Sequence, residues 1–222
     1  MSKNIWIIAN WKSNKTIAEA LDWVSKVGPG LPEKDNLKVV VCPTFSCLSE
    51  IKKAVEVGNF PLMVGSQDLS PFGVGAYTGE ESAALLKELI SVSILGHSER
   101  RQNFSETDEM VAKKVEQAMQ NNITPLVCIQ GPDTPVLEDY KLIAYEPIFA
   151  IGTGNPDTPE NANTVAEKLK NKYGQDLEIL YGGSVTSSNI ASFIREPNIN
   201  GALIGNASLD AEEFVKITKE CL

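Results

Sequence analysis

The strongest constraint on this chain is a repeated pairing of a short apolar run with an amphipathic stretch. The runs are Ile5-Trp6-Ile7-Ile8, Val39-Val40-Val41, Leu62-Met63-Val64, Val92-Ser93-Ile94-Leu95, Leu126-Val127-Cys128-Ile129, Leu142-Ile143-Ala144, Ile179-Leu180-Tyr181 and Ala202-Leu203-Ile204. A strand with one face in water alternates apolar and polar residues, whereas a strand covered on both faces reads as continuously apolar. Eight runs of the second kind, separated by helical stretches, point to a closed parallel (β/α)8 barrel, with an open doubly wound sheet as the alternative. No low-complexity segment, linker or internal repeat breaks the 222 residues, so the expectation is a single barrel domain over 1–222.

The stretches between the runs carry helix signals. Thr16 to Val27 places Ile17, Leu21 and Val24 on one face. Ser105-Glu106-Thr107-Asp108 opens a helix with Met110, Val111, Val115 and Met119 at helical spacing, and Ser105 is the expected N-cap. Thr158-Pro159-Glu160 puts proline just inside a helix start, and Leu209-Asp210-Ala211-Glu212 opens the last helix. One unit is irregular. Between Ile129 and Leu142 the chain offers only QGPDTPVLEDYK, near the minimum of about a dozen residues for a parallel crossover, with two prolines inside it. The helix between strands five and six is therefore expected to be missing or reduced to a short turn.

Charge and composition narrow the function. The net charge of −9 argues against a nucleic-acid partner, because phosphate backbones select basic surfaces. A small anionic substrate would need local positive potential, from a lysine or from main-chain N–H groups. The four cysteines form no Cys-x-x-Cys pair and read as reduced, buried small hydrophobes, and the one histidine excludes a His-rich metal site. The opening Met1-Ser2-Lys3-Asn4 and the short run after it resemble neither a signal peptide nor a membrane span, so a cytoplasmic location is expected.

In parallel α/β folds the chemistry collects just past the strand C-termini. Those places hold Asn10, Trp11 and Lys12 after strand one, the GHSERR stretch from Gly96 to Arg101 after strand four, and Glu146-Pro147 after strand six. Gly182-Gly183-Ser184 follow strand seven, and Gly205-Asn206-Ala207-Ser208 follow strand eight. Singly, each has a plain structural explanation: a strand-end lysine forms a salt bridge, a lone histidine sits satisfied in a core, a Gly-Gly pair makes a turn. Together they form a chemical set. Glu146 is a carboxylate in apolar surroundings, suited to act as a base; His97 can polarise a carbonyl; Lys12 is a fixed cation; and the glycine turns offer N–H groups to a phosphate. With no metal-ligand cluster and no dinucleotide fingerprint, the set suggests proton transfer next to the carbonyl of a small phosphorylated sugar.

Six motifs carry a family resemblance. NWK at 10–12, GAYTGE at 75–80, GHSERR at 96–101, AYEPIFAIGTG at 144–154, YGGSV at 181–185 and GALIGNASL at 201–209 occur in order across nearly the whole chain and resemble the triosephosphate isomerase family. The resemblance implies cofactor-free interconversion of dihydroxyacetone phosphate and D-glyceraldehyde 3-phosphate, a step of glycolysis and gluconeogenesis. It implies Glu146 as the proton shuttle, neutral His97 bonding the substrate oxygens, Lys12 and Asn10 holding the anionic substrate, and Glu99 orienting that site from behind. It implies phosphate contacts from Gly152, Ser184, Gly205 and Asn206, and a lid from Pro147 to Asp157. It also implies a homodimer built through the loop 66–80, with Thr78 reaching the neighbouring subunit's Asn10. Another phosphate-binding barrel enzyme and a non-catalytic barrel scaffold are the alternatives.

The chain departs from the family pattern at several places. Phe149 stands where the family carries tryptophan, and Gly131 where a glutamate would accept that indole N–H. Asn206 replaces the second glycine of the phosphate turn, a place where tolerance of positive φ is expected to matter. The short QGPDTPVLEDYK connection should expose an apolar strip that the family covers, favouring association beyond a dimer, up to a tetramer.

Overall fold

The computed structural model describes residues 3–136, 140–150 and 154–222. Eight parallel strands close on themselves in chain order: β1 (Ile5–Asn10), β2 (Leu37–Cys42), β3 (Met63–Ser66), β4 (Val92–Leu95), β5 (Thr124–Ile129), β6 (Leu142–Tyr145), β7 (Glu178–Tyr181) and β8 (Gly201–Ile204). Closure is made by β1 against β8, with Ile8 opposite Leu203. The helices are α1 (Ile17–Val27), α2 (Leu48–Gly58), α3 (Ala83–Leu86), α4 (Ser98–Phe104), α5 (Asp108–Gln120), α6 (Pro159–Tyr173), α7 (Ile190–Arg195) and α8 (Ala211–Lys219).

The continuous apolarity of the strands has a direct cause. Alternate residues pack into two separate cores. Trp6, Ile8, Val40, Ile94, Leu126 and Leu180 fill the barrel interior, while Ile7, Val39, Val41, Val127 and Ile179 pack outward against the helices. Each such side chain contributes about 1.5–3 kcal/mol by leaving water, so a polar residue is excluded from nearly every strand position. Trp6 still needs a partner for its indole N–H, and finds it in the Glu178 carboxylate at 2.7 Å.

Helix starts follow their capping chemistry. Thr16 and Glu19 form a reciprocal capping box at α1, Thr158 caps α6 ahead of Pro159, and Asp210 caps α8. Two expectations are corrected. Ser105 is not an N-cap: Thr107 accepts the Met110 N–H at α5, and Ser105 ends α4 in a left-handed conformation, φ 54°. GHSERR therefore continues from the end of β4 into a short helix of its own. The buried face of α1 is also rotated from the expected one, since Ala20, Trp23, Val24 and Val27 are buried and Ile17 is exposed. Trp23 sets that rotation by packing edge-on to Trp11 and donating to the Ser208 carbonyl at 2.9 Å.

Between β5 and β6 no helix occurs among the described residues. The chain turns at Gly131, whose carbonyl accepts the Thr134 N–H, and Val136 and Tyr140 are buried. Residues 137–139 lie outside the described set. A groove lined by Ala112, Val115, Met119 and Tyr140 runs along α5 beside this connection.

A buried charge cluster ties the root of the 66–80 loop to α4 and α5. The Lys114 ammonium donates to both oxygens of Asp68 at 2.7 Å and to Glu106, and Arg100 pairs with Asp68 at 2.8 Å and Glu106 at 3.3 Å. Burial, reinforced by Glu106 and opposed by Lys114 and Arg100, pushes the Asp68 carboxyl up to about 6. Removing the central cation would leave two buried carboxylates facing each other. Lys114→Met is accordingly expected to cost about 3–5 kcal/mol of stability, read as a loss in denaturant unfolding free energy; an unchanged midpoint would show that the cluster does not hold the loop root.

Candidate active site

The C-terminal ends of the strands converge on a cleft of about 200 Å³ lined by Asn10, Lys12, His97, Glu146, Ser184 and Gly205, with Gly154, Gly182, Asn206 and Ala207 also on its walls. Of the nine residues expected from the sequence, Asn10, Lys12, His97, Glu146, Ser184, Gly205 and Asn206 line it. Glu99 stands just behind, paired with Lys12. Gly152 lies outside the described residues.

Glu146 follows β6 and is 1% exposed. Its N–H continues the ladder to the Ile129 carbonyl at 2.8 Å, which aims the side chain across the barrel mouth toward the turn after β4. There the carboxylate accepts the Ser98 N–H at 3.0 Å and meets His97 Nε2 at 3.0 Å. The Cys128 thiol, on the neighbouring strand, also bonds it, and burial followed by the Glu146 charge pushes that thiol well above its ordinary range. A buried carboxylate is costly unless its lone pairs are engaged, and these donors engage them. Gly182 makes the room: a Cβ there would come within 3.0 Å of Glu146 Cγ.

His97 caps α4, with Nδ1 accepting the Glu99 N–H at 3.2 Å. That bond assigns the lone pair to Nδ1 and the proton to Nε2, so Nε2–H donates to Glu146. Opposing forces act on the ring's acidity. Burial, the largest, pushes the pKa down; Glu146, by charge and by hydrogen bond, and Glu99 outweigh it and set the pKa above the ordinary value. The main part of that upward pull exists only while Glu146 rests against Nε2. Protonating Nδ1 would turn the Glu99 N–H from partner into obstacle, which favours the neutral ring once the carboxylate moves away.

Lys12 occupies a left-handed conformation, φ 55°, a state that costs a non-glycine residue about 1–3 kcal/mol. Neighbours hold it there. Its N–H donates to Asn10 Oδ1 at 3.1 Å, and its carbonyl accepts from Gln67 Nε2 at 2.9 Å. The ammonium is thereby delivered to Glu99, beside the Gly205 backbone. Gln67 was not legible as a site residue: its role depends on a backbone angle at Lys12 that residue identity does not announce.

Ser184 links the site to the segment after Glu146. Its hydroxyl donates to the Ala150 carbonyl at 2.7 Å and accepts the Gly154 N–H at 3.2 Å. Gly154 itself sits at φ 78°, which suits its place at the far end of the segment. The Tyr181 hydroxyl accepts the Asp157 N–H at 2.6 Å. Phe149 is largely exposed, and nothing lies within 4 Å of where a Gly131 Cβ would stand. The phosphate-turn expectation needs correction. Asn206 is absent from the residues at positive φ, so tolerance of that conformation is not why asparagine fits here.

Among the described residues, no group of three or more His, Cys, Asp or Glu side chains is placed to hold a metal ion, and no helix is long and apolar enough to cross a membrane. Comparison with known proteins places this geometry in a family. The family model described as triosephosphate isomerase matches residues 5–221. The triosephosphate isomerase of Alkaliphilus oremlandii is 41% identical over 244 positions, covering 95% of this chain and 97% of the relative. Those of Caldanaerobacter subterraneus subsp. tengcongensis and of Clostridium botulinum strain Loch Maree are 40% and 42% identical over 243 positions, each covering 95% of this chain and 97% of the relative. These alignments are longer than the 222 residues of this chain, so each relative has positions without a counterpart here. With a closed eight-stranded barrel, a match across nearly its full length and close to 40% identity to named relatives, the chain belongs to the triosephosphate isomerase family and is an isomerase.

Proposed function

We propose that this chain interconverts dihydroxyacetone phosphate and D-glyceraldehyde 3-phosphate, in glycolysis and gluconeogenesis, by carboxylate-mediated proton transfer through an enediolate. The observation that carries the reading is the direct contact of Glu146 with His97 Nε2, at 3.0 Å, in a cleft that also holds Lys12. Base and electrophile are pre-positioned against each other, and a small carbonyl substrate fits the chemistry of the gap between them.

Substrate entering that gap separates the pair. Glu146 Oε takes the proton from C1 of the ketose, the C1–H electron pair becomes the C1–C2 double bond, and the carbonyl electrons move onto O2. The freed His97 Nε2–H and the Lys12 ammonium stabilise the negative oxygen. Glu146 returns the proton to C2, the O1 hydroxyl proton passes to O2, and C1 becomes the aldehyde carbon, with no net oxidation and no cofactor. Asn10 and Glu99 hold Lys12 in register. Gly152, Ser184, Gly205 and Asn206 bind the phosphate, and the stretch from Pro147 to Asp157 acts as a lid whose closure excludes water and strengthens the electrostatics.

The same reading extends to assembly. Residues 1–222 act as one barrel domain in the cytoplasm, and two copies pair through the loop 66–80. Phe72 and Tyr77 stack at 4.3 Å, are 41% and 44% exposed, and flank a Val74 that is 71% exposed. An apolar projection of this kind is unusual on a solvent-facing surface, and Thr78 beside it would reach the neighbouring subunit's Asn10. The groove along α5 is the place for further association to a tetramer.

Two measurements test this. A coupled assay on either triose phosphate should show turnover, and Glu146→Gln should lower kcat by about 10³-fold, within the range a general base contributes; normal activity in that variant removes Glu146 as the base. Light scattering across a concentration series should give a dimer or larger species, and Tyr77→Asp should shift it toward monomer. A wild-type monomer at all concentrations contradicts the interface.

A further inference from the structure

We propose that Arg101 is a positioning residue for His97: its guanidinium fixes the peptide that leads into the histidine, and so sets the direction of the imidazole toward Glu146. The inference goes beyond the isomerase reading above and rests on it only for the meaning of a rate.

The two arginines of GHSERR stand side by side and do different work. Arg100 joins the buried cluster of Asp68 and Glu106. Arg101 donates instead from Nε to the Gly96 carbonyl at 2.8 Å and from Nη1 to Asp108 Oδ1 at 2.6 Å. That carbonyl belongs to the planar peptide joining Gly96 to His97, so holding it sets the plane from which the His97 φ is measured. The peptide on the far side is held too: the His97 carbonyl accepts the Arg100 N–H at 2.9 Å and the Arg101 N–H at 3.1 Å. Arg101 thus grips the chain on both sides of His97, by its side chain before and by its main chain after. The imidazole depends on that grip, since Nδ1 accepts the Glu99 N–H at 3.2 Å while Nε2 meets Glu146 at 3.0 Å. A Gly96 carbonyl that swung away would turn both nitrogens from their partners.

The neighbours are fitted to a guanidinium. Gly96 sits at φ 69°, and a Cβ there would come within 2.9 Å of Arg101 Nη2 and 3.0 Å of Val111 Cγ2. A planar fork can hold a carbonyl and a carboxylate at once, whereas an ammonium is a single point of charge. Asp108 is the first residue of α5, so the pair also ties the histidine turn to that helix. Tyr140, from the short β5–β6 connection, is buried beside Ala112 and Val115 farther along α5. Burial and then the Asp108 charge push its hydroxyl up, and Arg101 opposes them. The same guanidinium is felt at the Cys128 thiol that bonds Glu146: burial and the Glu146 charge raise that thiol, and Arg101 works against both.

The chain has one histidine, so isotope-labelled histidine gives ring-nitrogen NMR signals that belong to His97 alone. The test compares wild-type protein with Arg101→Met and Arg101→Lys, by those signals across a pH series and by steady-state kinetics on triose phosphate. Arg101→Met should lower kcat by about 100-fold, the scale of a misplaced reacting group, with KM within about twofold of wild type. Arg101→Lys keeps the charge and reaches one of the two acceptors, so its kcat should fall between the two. In wild type the neutral ring should carry its proton on Nε2, and in Arg101→Met both tautomers should be populated. A merely structural role would lower the folded fraction, read by thermal melts, and leave the kcat of the folded protein and the ring signals at wild type. Wild-type kcat or wild-type ring signals in folded Arg101→Met overturns the inference. If that variant does not fold, Arg101→Lys decides by the same two readouts. A wild-type protein that does not isomerise triose phosphate overturns the isomerase reading, and the ring signals then decide the Arg101 inference by themselves.

Discussion

The arrangement at the mouth of this barrel depends on a buried carboxylate whose lone pairs must be engaged. Glu146 is nearly inaccessible, yet its oxygens are met by the Ser98 N–H and by His97 Nε2, and the Cys128 thiol bonds it from the next strand. A hydrogen bond to a charged acceptor is worth about 1.5–3 kcal/mol net, enough to hold the side chain against its desolvation but not to fix it permanently. The turn after β4 must therefore present an N–H and an imidazole at one place, and the helical start of GHSERR does so, with His97 as the cap of α4. Gly182 gives the same carboxylate room, since a Cβ there would stand 3.0 Å from Glu146 Cγ.

The barrel was legible because two-sided burial leaves a plain mark. All eight apolar runs became strands, as a layer between two cores demands. Helix faces were less legible. Ile17 and Leu21 looked like the inner stripe of α1, but the pairing of Trp23 with Trp11 turned the helix so that Ala20 and Val27 face inward. Ser105 and Thr107 are both good caps by composition, and only the three-dimensional path separates the end of α4 from the start of α5. The charge cluster of Asp68, Arg100, Glu106 and Lys114 was invisible in the sequence, because Asp68 comes from a distant segment and all four look individually like surface residues.

The site itself was read from strand ends, and seven of its expected members line one cleft. What strand-end logic could not supply was backbone strain and its support. Lys12 lies in a conformation that residue type argues against, and Gln67 helps to hold it there from the root of the 66–80 loop. The short connection between β5 and β6 shows the opposite economy: the chain crosses without a described helix, and Val136 and Tyr140 cover part of the face beside α5. Phe149 and the open space at Gly131 fit the same trimming, on the side of the barrel away from Lys12 in the chain's order of strands.

The central claim is that Glu146 moves a proton between adjacent carbons rather than assisting a hydride shift. Turnover of dihydroxyacetone phosphate in deuterated water, followed by proton NMR of the product, tests it most directly. A carboxylate shuttle open to solvent exchange places deuterium on C2 of the aldose. Product that carries no solvent deuterium at C2 under any condition would contradict the account.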